Sequence, residues 1–287
     1  MKYELNDKPG MLPMLMYGLQ WWIVSLPCVV IMGIIVSQLH YTNVSEQTFY
    51  LQKLFGIMGI VMIVQVLWGH RLPLIIGPAS VLLIGILSTV SSGIPAVYTG
   101  IMVGGLVLTV LAYSGLLGKL QFVFTPRIVT VILILIAFTL TPVILKLVLG
   151  DAVHALFNLF LTLVMVLALV IGNKLLRGIW KSTTVLWGIV GGVLVTIPGV
   201  VMGAILLYLM ATQLAAGLQM LVREKAITDF DSGVVVGLPL MVALLLSFAP
   251  EEVLNLIPSL FKPIVGNGFV MGVITVLIME HLIFKKK

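Results

Sequence analysis

Residues 69–87 read GHRLPLIIGPASVLLIGIL, an apolar run interrupted where a plain membrane helix would not be. His70 and Arg71 precede Pro73, and Leu74-Ile75-Ile76 is a short β-leaning run. Gly77 and Pro78 then lead into an apolar helical segment from Ala79. Proline suits the first turn of a helix, where its missing N–H would have no partner anyway. The stretch therefore predicts an extended piece that breaks at Gly77 and launches a half-helix within the membrane. Such backbone survives at membrane depth only where protein or a wet cavity satisfies its polar groups. The amides of Ala79, Ser80 and Val81 would point into that cavity from a positive helix end. An ordinary helix after a proline-containing turn is the other reading of the same residues.

Composition gives the class. The 287 residues are 61% hydrophobic and 9% charged, with a mean hydropathy of +1.23, more apolar surface than a soluble domain of this length can hide. The chain reads as an all-α polytopic membrane protein. Its first apolar run lacks the short core and cleavage site of a secretory signal and is expected to be retained. The single cysteine, Cys28, lies in an apolar run and reads as a packing residue. The net charge of +6 comes from cations in short loops and is no sign of nucleic-acid binding.

Dividing the chain by spans of about 20 apolar residues gives ten. They are expected at 12–37, 51–68, the broken 74–90, 96–117, 128–149, a sixth ending near 172, a short 183–195, 198–221, 233–248 and 266–283. Pro198-Gly199 reads as a tight reversal between the seventh and eighth, with one long helix kinked at Pro198 as the competitor. The positive-inside rule decides between them. With both termini cytoplasmic and ten spans, all sixteen Lys and Arg except Lys53, Lys146 and Lys262 fall on the inner side. A single kinked helix would move Arg223 and Lys285, Lys286 and Lys287 outside.

All ten acidic residues fall in loops or near span ends, so no span centre carries a charge. Ion-coupled transporters usually place a carboxylate or histidine at mid-membrane. Glu280 comes nearest, but beside His281 and the terminal lysines it reads as an interfacial residue. His40, His70, His154 and His281 have no ligand spacing, so neither a metal nor another cofactor is implied. Without a Walker motif, nucleophile elbow or HExxH, an enzyme has no support. Gly100-x-x-x-Gly104, Gly188-x-x-x-Gly192 and Gly233-x-x-x-Gly237 are spacings that let helices approach closely, in a compact bundle or a dimer.

The motifs in order resemble the nucleobase/ascorbate transporter family, which includes uracil and xanthine permeases. Tyr17-Gly18-Leu19-Gln20 is similar to its opening GLQH motif. Gly69-x-x-x-Pro73-x-x-x-Gly77 is similar to its lead into the third helix. Thr125-Pro126-Arg127-Ile128-Val129 and the following ILILIAFTL are similar to its fifth helix, and Thr184 through Gly192 to its seventh. Ile197-Pro198-Gly199-Val200-Val201-Met202-Gly203 is similar to the start of its twelfth, and the last two spans suit its thirteenth and fourteenth. The resemblance implies a partial version of a seven-plus-seven inverted-repeat fold, lacking helices eight to eleven. It implies a half core domain over 1–117 and a gate domain in two parts, 118–195 and 196–287. The missing half normally supplies a second strand and the acidic residues that bind substrate and couple protons.

The retained half departs from the family as well. Trp21 stands where the family has His, and Pro78-Ala79-Ser80-Val81-Leu82 stands where it reads S-S-F-A-F. The resemblance thus implies a substrate path lined by Gln20, Trp21, Gly77, Pro78, Ala79, Ser80 and Val81, without the stacking aromatic in its usual place. Gln20 has a helix–helix hydrogen bond as its plainer role, and Trp21, Trp22 and Trp68 have packing or interfacial roles. The expected function is a plasma-membrane permease for nucleobases or similar small solutes, completed by a homodimer or a partner permease chain. The alternative is a non-transporting gate-domain remnant that regulates a full-length permease.

Overall fold

A computed structural model of the chain describes residues 10–284 apart from 70, 73, 90–92, 197 and 259. Lys2, Lys8, His70, Pro73, Ile197 and Lys285 to Lys287, all used in the sequence reading, lie outside the described residues. Ten helices of ten residues or more occur among the described residues. They are α1 Met11–His40, α2 Val44–Leu67, α3 Ser80–Thr89, α4 Ile94–Tyr113, α5 Pro126–Leu149, α6 Ala155–Leu175, α7 Thr184–Val195, α8 Pro198–Arg223, α9 Phe230–Ser247 and α10 Gly268–Ile278. A π-helical turn, Met279–Ile283, continues α10. Six of them, α2, α4, α5, α6, α8 and α9, are long and apolar enough to cross a membrane among the described residues.

The helix starts are written locally. Asn43 accepts a hydrogen bond from the Ser45 amide at 3.0 Å to cap α2, and Glu46 faces the positive end of that helix. Asp229 and Ser232 form a reciprocal capping box on α9, with the Ser232 amide donating to Asp229 Oδ1 at 2.7 Å. Asn267 accepts from the Val270 amide to cap α10. The competing long helix at Pro198 does not form. α7 ends at Val195, Thr196 is extended (φ −148°, ψ 176°), and α8 begins afresh at Pro198.

The chain divides into two compact units, one of residues 1–79 and 141–209 and the other of 80–140 and 210–287. In the first, α1 lies against α2 and α7, and α6 lies against α7. Its core gathers Leu169, Val201, Ile205 and Tyr208. Gly188 and Gly192 earn the close-packing reading: a Cβ on Gly188 would sit 2.5 Å from Leu169, and one on Gly192 would sit 2.5 Å from Met165. In the second unit, Ile128, Val131 and Leu135 share one face of α5 and meet Val235 and Val236 of α9 and Val276 of α10. Gly268 lets α10 approach α9, because a Cβ there would lie 2.4 Å from the Ala243 carbonyl oxygen. Gly100, Gly104, Gly233 and Gly237 face open space instead, so their spacing brings no described helix close.

Candidate functional site

The interrupted stretch has the predicted non-helical segment followed by a helix. α2 ends at Leu67, and the Gly69 amide still reaches the Gln65 carbonyl at 3.0 Å. A Cβ at Gly69 would lie 2.8 Å from that same oxygen, so the turn requires glycine. Arg71 adopts a left-handed φ of 57°, and the Leu74 amide bonds to Leu72 O at 2.8 Å. Residues 74–79 belong to no helix, and α3 begins at Ser80. The ten described residues of α3 rise about 15 Å.

The β-strand expected at 74–76 is corrected to unpaired backbone: among the described residues no strand occurs. A strand needs a ladder partner, and none stands beside this segment among the described residues. Gly77 and Ala79 are exposed, Pro78 is half-buried, and a Cβ at Gly77 would meet nothing within 4 Å. The side chains of Ser80 and Val81 lie outside the described ones. The division between the two units falls between Ala79 and Ser80.

Gln20 and Trp21 lie on α1, both half-buried. Gln20 Oε1 is buried and has no hydrogen-bond partner among the described residues, so the expected helix–helix bond through that oxygen is not made. Burying an unsatisfied carbonyl costs about 1–3 kcal/mol, which makes this atom an acceptor in want of a donor. Trp22 and Trp68 are largely exposed, as interfacial rings are.

Two polar cavities lie elsewhere. In the second unit, one of about 410 Å³ is lined by Thr125, Arg127, Glu224, Lys225, Glu280 and His281, among others. Arg127 Nη1 donates to Glu280 Oε2 at 3.0 Å, and its Nε donates to the Ala226 carbonyl at 2.6 Å. In the first unit, a cavity of about 430 Å³ collects Asp151, His154 and Asn158 with residues 193–196. His154 Nδ1 and Asp151 Oδ2 are 2.8 Å apart, and this hydrogen bond holds the exposed Asp151 carboxyl below its usual pKa. Among the described residues, no group of three or more His, Cys, Asp or Glu side chains is placed to hold a metal.

The Permease family profile, that of xanthine and uracil permeases, matches residues 13–197, well over half of the chain. The chain belongs to the xanthine/uracil permease family. This permease-family chain is also 27% identical over 143 residues to nucleobase-ascorbate transporter 12 of Arabidopsis thaliana. That similarity covers 45% of this chain and 20% of the relative, so the chain spans only a fraction of the length of the curated protein it matches. No solved structure matches it. Membership makes this a multi-pass membrane protein of a transporter family.

The matched region of this permease-family chain holds Gln20, Trp21 and residues 77–81, and it stops two residues beyond α7. None of the cavities described here contains those seven residues. The Arg127–Glu280 pair escaped sequence reasoning, because each residue has a sufficient explanation alone, one as a loop cation and the other as an interfacial acid.

Proposed function

We propose that this chain is a permease-like plasma-membrane protein for nucleobases or similar small solutes, with both termini cytoplasmic and ten membrane crossings. The observation that carries the reading is the non-helical segment at residues 74–79, with open space at Gly77, running straight into α3. Non-helical backbone inside a membrane span is kept where protein or a wet cavity satisfies its polar groups, as along a solute path. On α1, Gln20 supplies an amide and Trp21 an aromatic edge for a heterocyclic solute, once the site opens to admit it. Backbone amides at Ala79, Ser80 and Val81 supply donors for a solute carbonyl.

The even numbers of crossings expected between segments on the same side are supported by the two polar cavities, each within one unit. The segments assigned to the inner side, near Arg127, Lys225 and His281, line one cavity together. The 150–154 turn and the α7 end, assigned to the outer side, line the other. With no carboxylate at a span centre, the reading is equilibration of solute without proton coupling. The half core is a partial form of the inverted-repeat fold, which a homodimer or a partner permease chain would complete. Uptake of radiolabelled uracil and xanthine into proteoliposomes, with and without a proton gradient, tests this. Equilibration independent of the gradient is expected, gradient-driven accumulation would overturn the uncoupled mechanism, and no uptake would overturn transport itself.

The reading as a non-transporting partner of a full-length permease draws on one observation. No part of the most apolar window of α4 is buried, a bare flank for a helix of a domain missing its other half. Co-purification with a full-length permease, together with absent uptake by the chain alone, would favour it.

A further inference from the structure

An apolar groove of about 520 Å³ runs along the first unit between α6 and α7. Leu161, Ala168 and Leu176 lie along its α6 side and Trp187, Gly191 and Val195 along its α7 side, while Trp180 stands near one end. The Trp180 and Trp187 rings stack with centroids 5.3 Å apart, and Trp187 Nε1 donates to Thr183 Oγ1 at 3.1 Å. This is the arrangement of aromatic rings at a membrane–water boundary, with an apolar body and a satisfied polar tip. The fifteen helical steps from Leu161 to Leu176 rise about 22 Å, roughly three quarters of a hydrocarbon core of about 30 Å.

Two residues of the groove lining, Leu176 and Trp180, are flanked in sequence by cations. Lys174, Arg177 and Lys181 interleave with those two residues, all three are exposed, and none forms an ion pair with a described residue. The sequence provides no local counter-charge, because residues 152–223 contain no Asp or Glu. An apolar slot about 22 Å long, whose lining residues Leu176 and Trp180 are interleaved in sequence with three exposed cations, complements one kind of occupant. We propose that this groove binds an anionic phospholipid, with one acyl chain between α6 and α7 and its phosphate headgroup at Lys174, Arg177 and Lys181. Topology alone would place cations in the loop, but it asks for no groove leading from them. A second copy of the chain docked two-fold on this face would bring the same cationic loop against itself.

The test compares dioleoyl phosphatidylglycerol with dioleoyl phosphatidylcholine for binding to the full chain in neutral detergent, by native mass spectrometry at low ionic strength. Phosphatidylglycerol should bind more tightly, while glycerol 3-phosphate, a headgroup without chains, should not bind. Changing Lys174→Ala, Arg177→Ala and Lys181→Ala together should weaken phosphatidylglycerol about 100-fold, at roughly fivefold per cation, and leave phosphatidylcholine unchanged. Gly191→Leu fills the groove where a Cβ meets nothing within 4 Å, so it should fold normally and weaken both lipids. Equal binding of the two lipids by the unaltered chain would overturn the proposal, as would full preference retained by the triple variant. So would binding of glycerol 3-phosphate as tight as that of the lipid, or a Gly191→Leu variant that changes oligomeric mass but not lipid binding. None of these readouts depends on solute uptake.

Discussion

Arg127 and Glu280 meet at 3.0 Å across 153 residues of chain, with side chains 13% and 12% exposed. The contact joins the first turn of α5 to the turn that follows α10, and Arg127 Nε also holds the Ala226 carbonyl between α8 and α9. One guanidinium thus ties three chain segments of the second unit through charge-assisted bonds that its planar fork can make simultaneously.

Removing one member of this pair should therefore be worse than removing both. Arg127→Ala or Glu280→Gln leaves a largely buried partner uncompensated, and a loss of about 1–3 kcal/mol is expected. The pair Arg127→Met with Glu280→Leu should recover much of that. Unfolding of the single and double variants in detergent reads the difference, and strictly additive losses would contradict it.

The glycines divide into two groups with opposite expected responses. Gly268→Ala drives a Cβ into the Ala243 carbonyl and should cost about 1–3 kcal/mol. Gly104→Ala meets nothing within 4 Å and should gain about 0.5–1 kcal/mol from helix propensity. Midpoints of thermal unfolding for the two variants should move in opposite directions.

Gln20 offers a separation of stability from function. Gln20→Leu removes a buried acceptor that has no donor among the described residues, so unfolding should become harder by up to about 1 kcal/mol. Uptake should fall at the same time if the amide recognises solute. A destabilised variant would mean that the oxygen has a structural partner after all.

The Asp151–His154 pair makes a pH-dependent contribution. The bond from His154 lowers the Asp151 pKa, so the folded state binds that proton less readily than the unfolded chain. Its stabilisation is present above the ordinary carboxylate value and is lost as pH falls through the lowered one. Asp151→Asn should thus be less stable than the unaltered chain at pH 6 and indistinguishable from it in strong acid. A difference independent of pH would rule out the carboxylate as its source.

Helix positions were readable because each depends on neighbours a few residues away. Asn43, Asp229 and Asn267 cap the helices that follow them, and apolar runs of span length set where α2, α5, α6 and α9 lie. The break at residues 74–79 was readable for the same reason, since glycine and proline act on the backbone where they stand. The order of loose motifs was enough to place the chain in its family.

What needed the tertiary structure was every feature made by residues distant in sequence. The Arg127–Glu280 pair, the difference between the packed Gly188 and the open Gly100, and the unpaired Gln20 oxygen all depend on what lies opposite. The expected strand at 74–76 belongs here too, because a β-leaning run becomes a strand only when a second one supplies its hydrogen bonds. Local propensity and hydropathy act within a turn or a span, whereas ion pairing, close packing and ladder formation are settled by the partner that folding brings into reach.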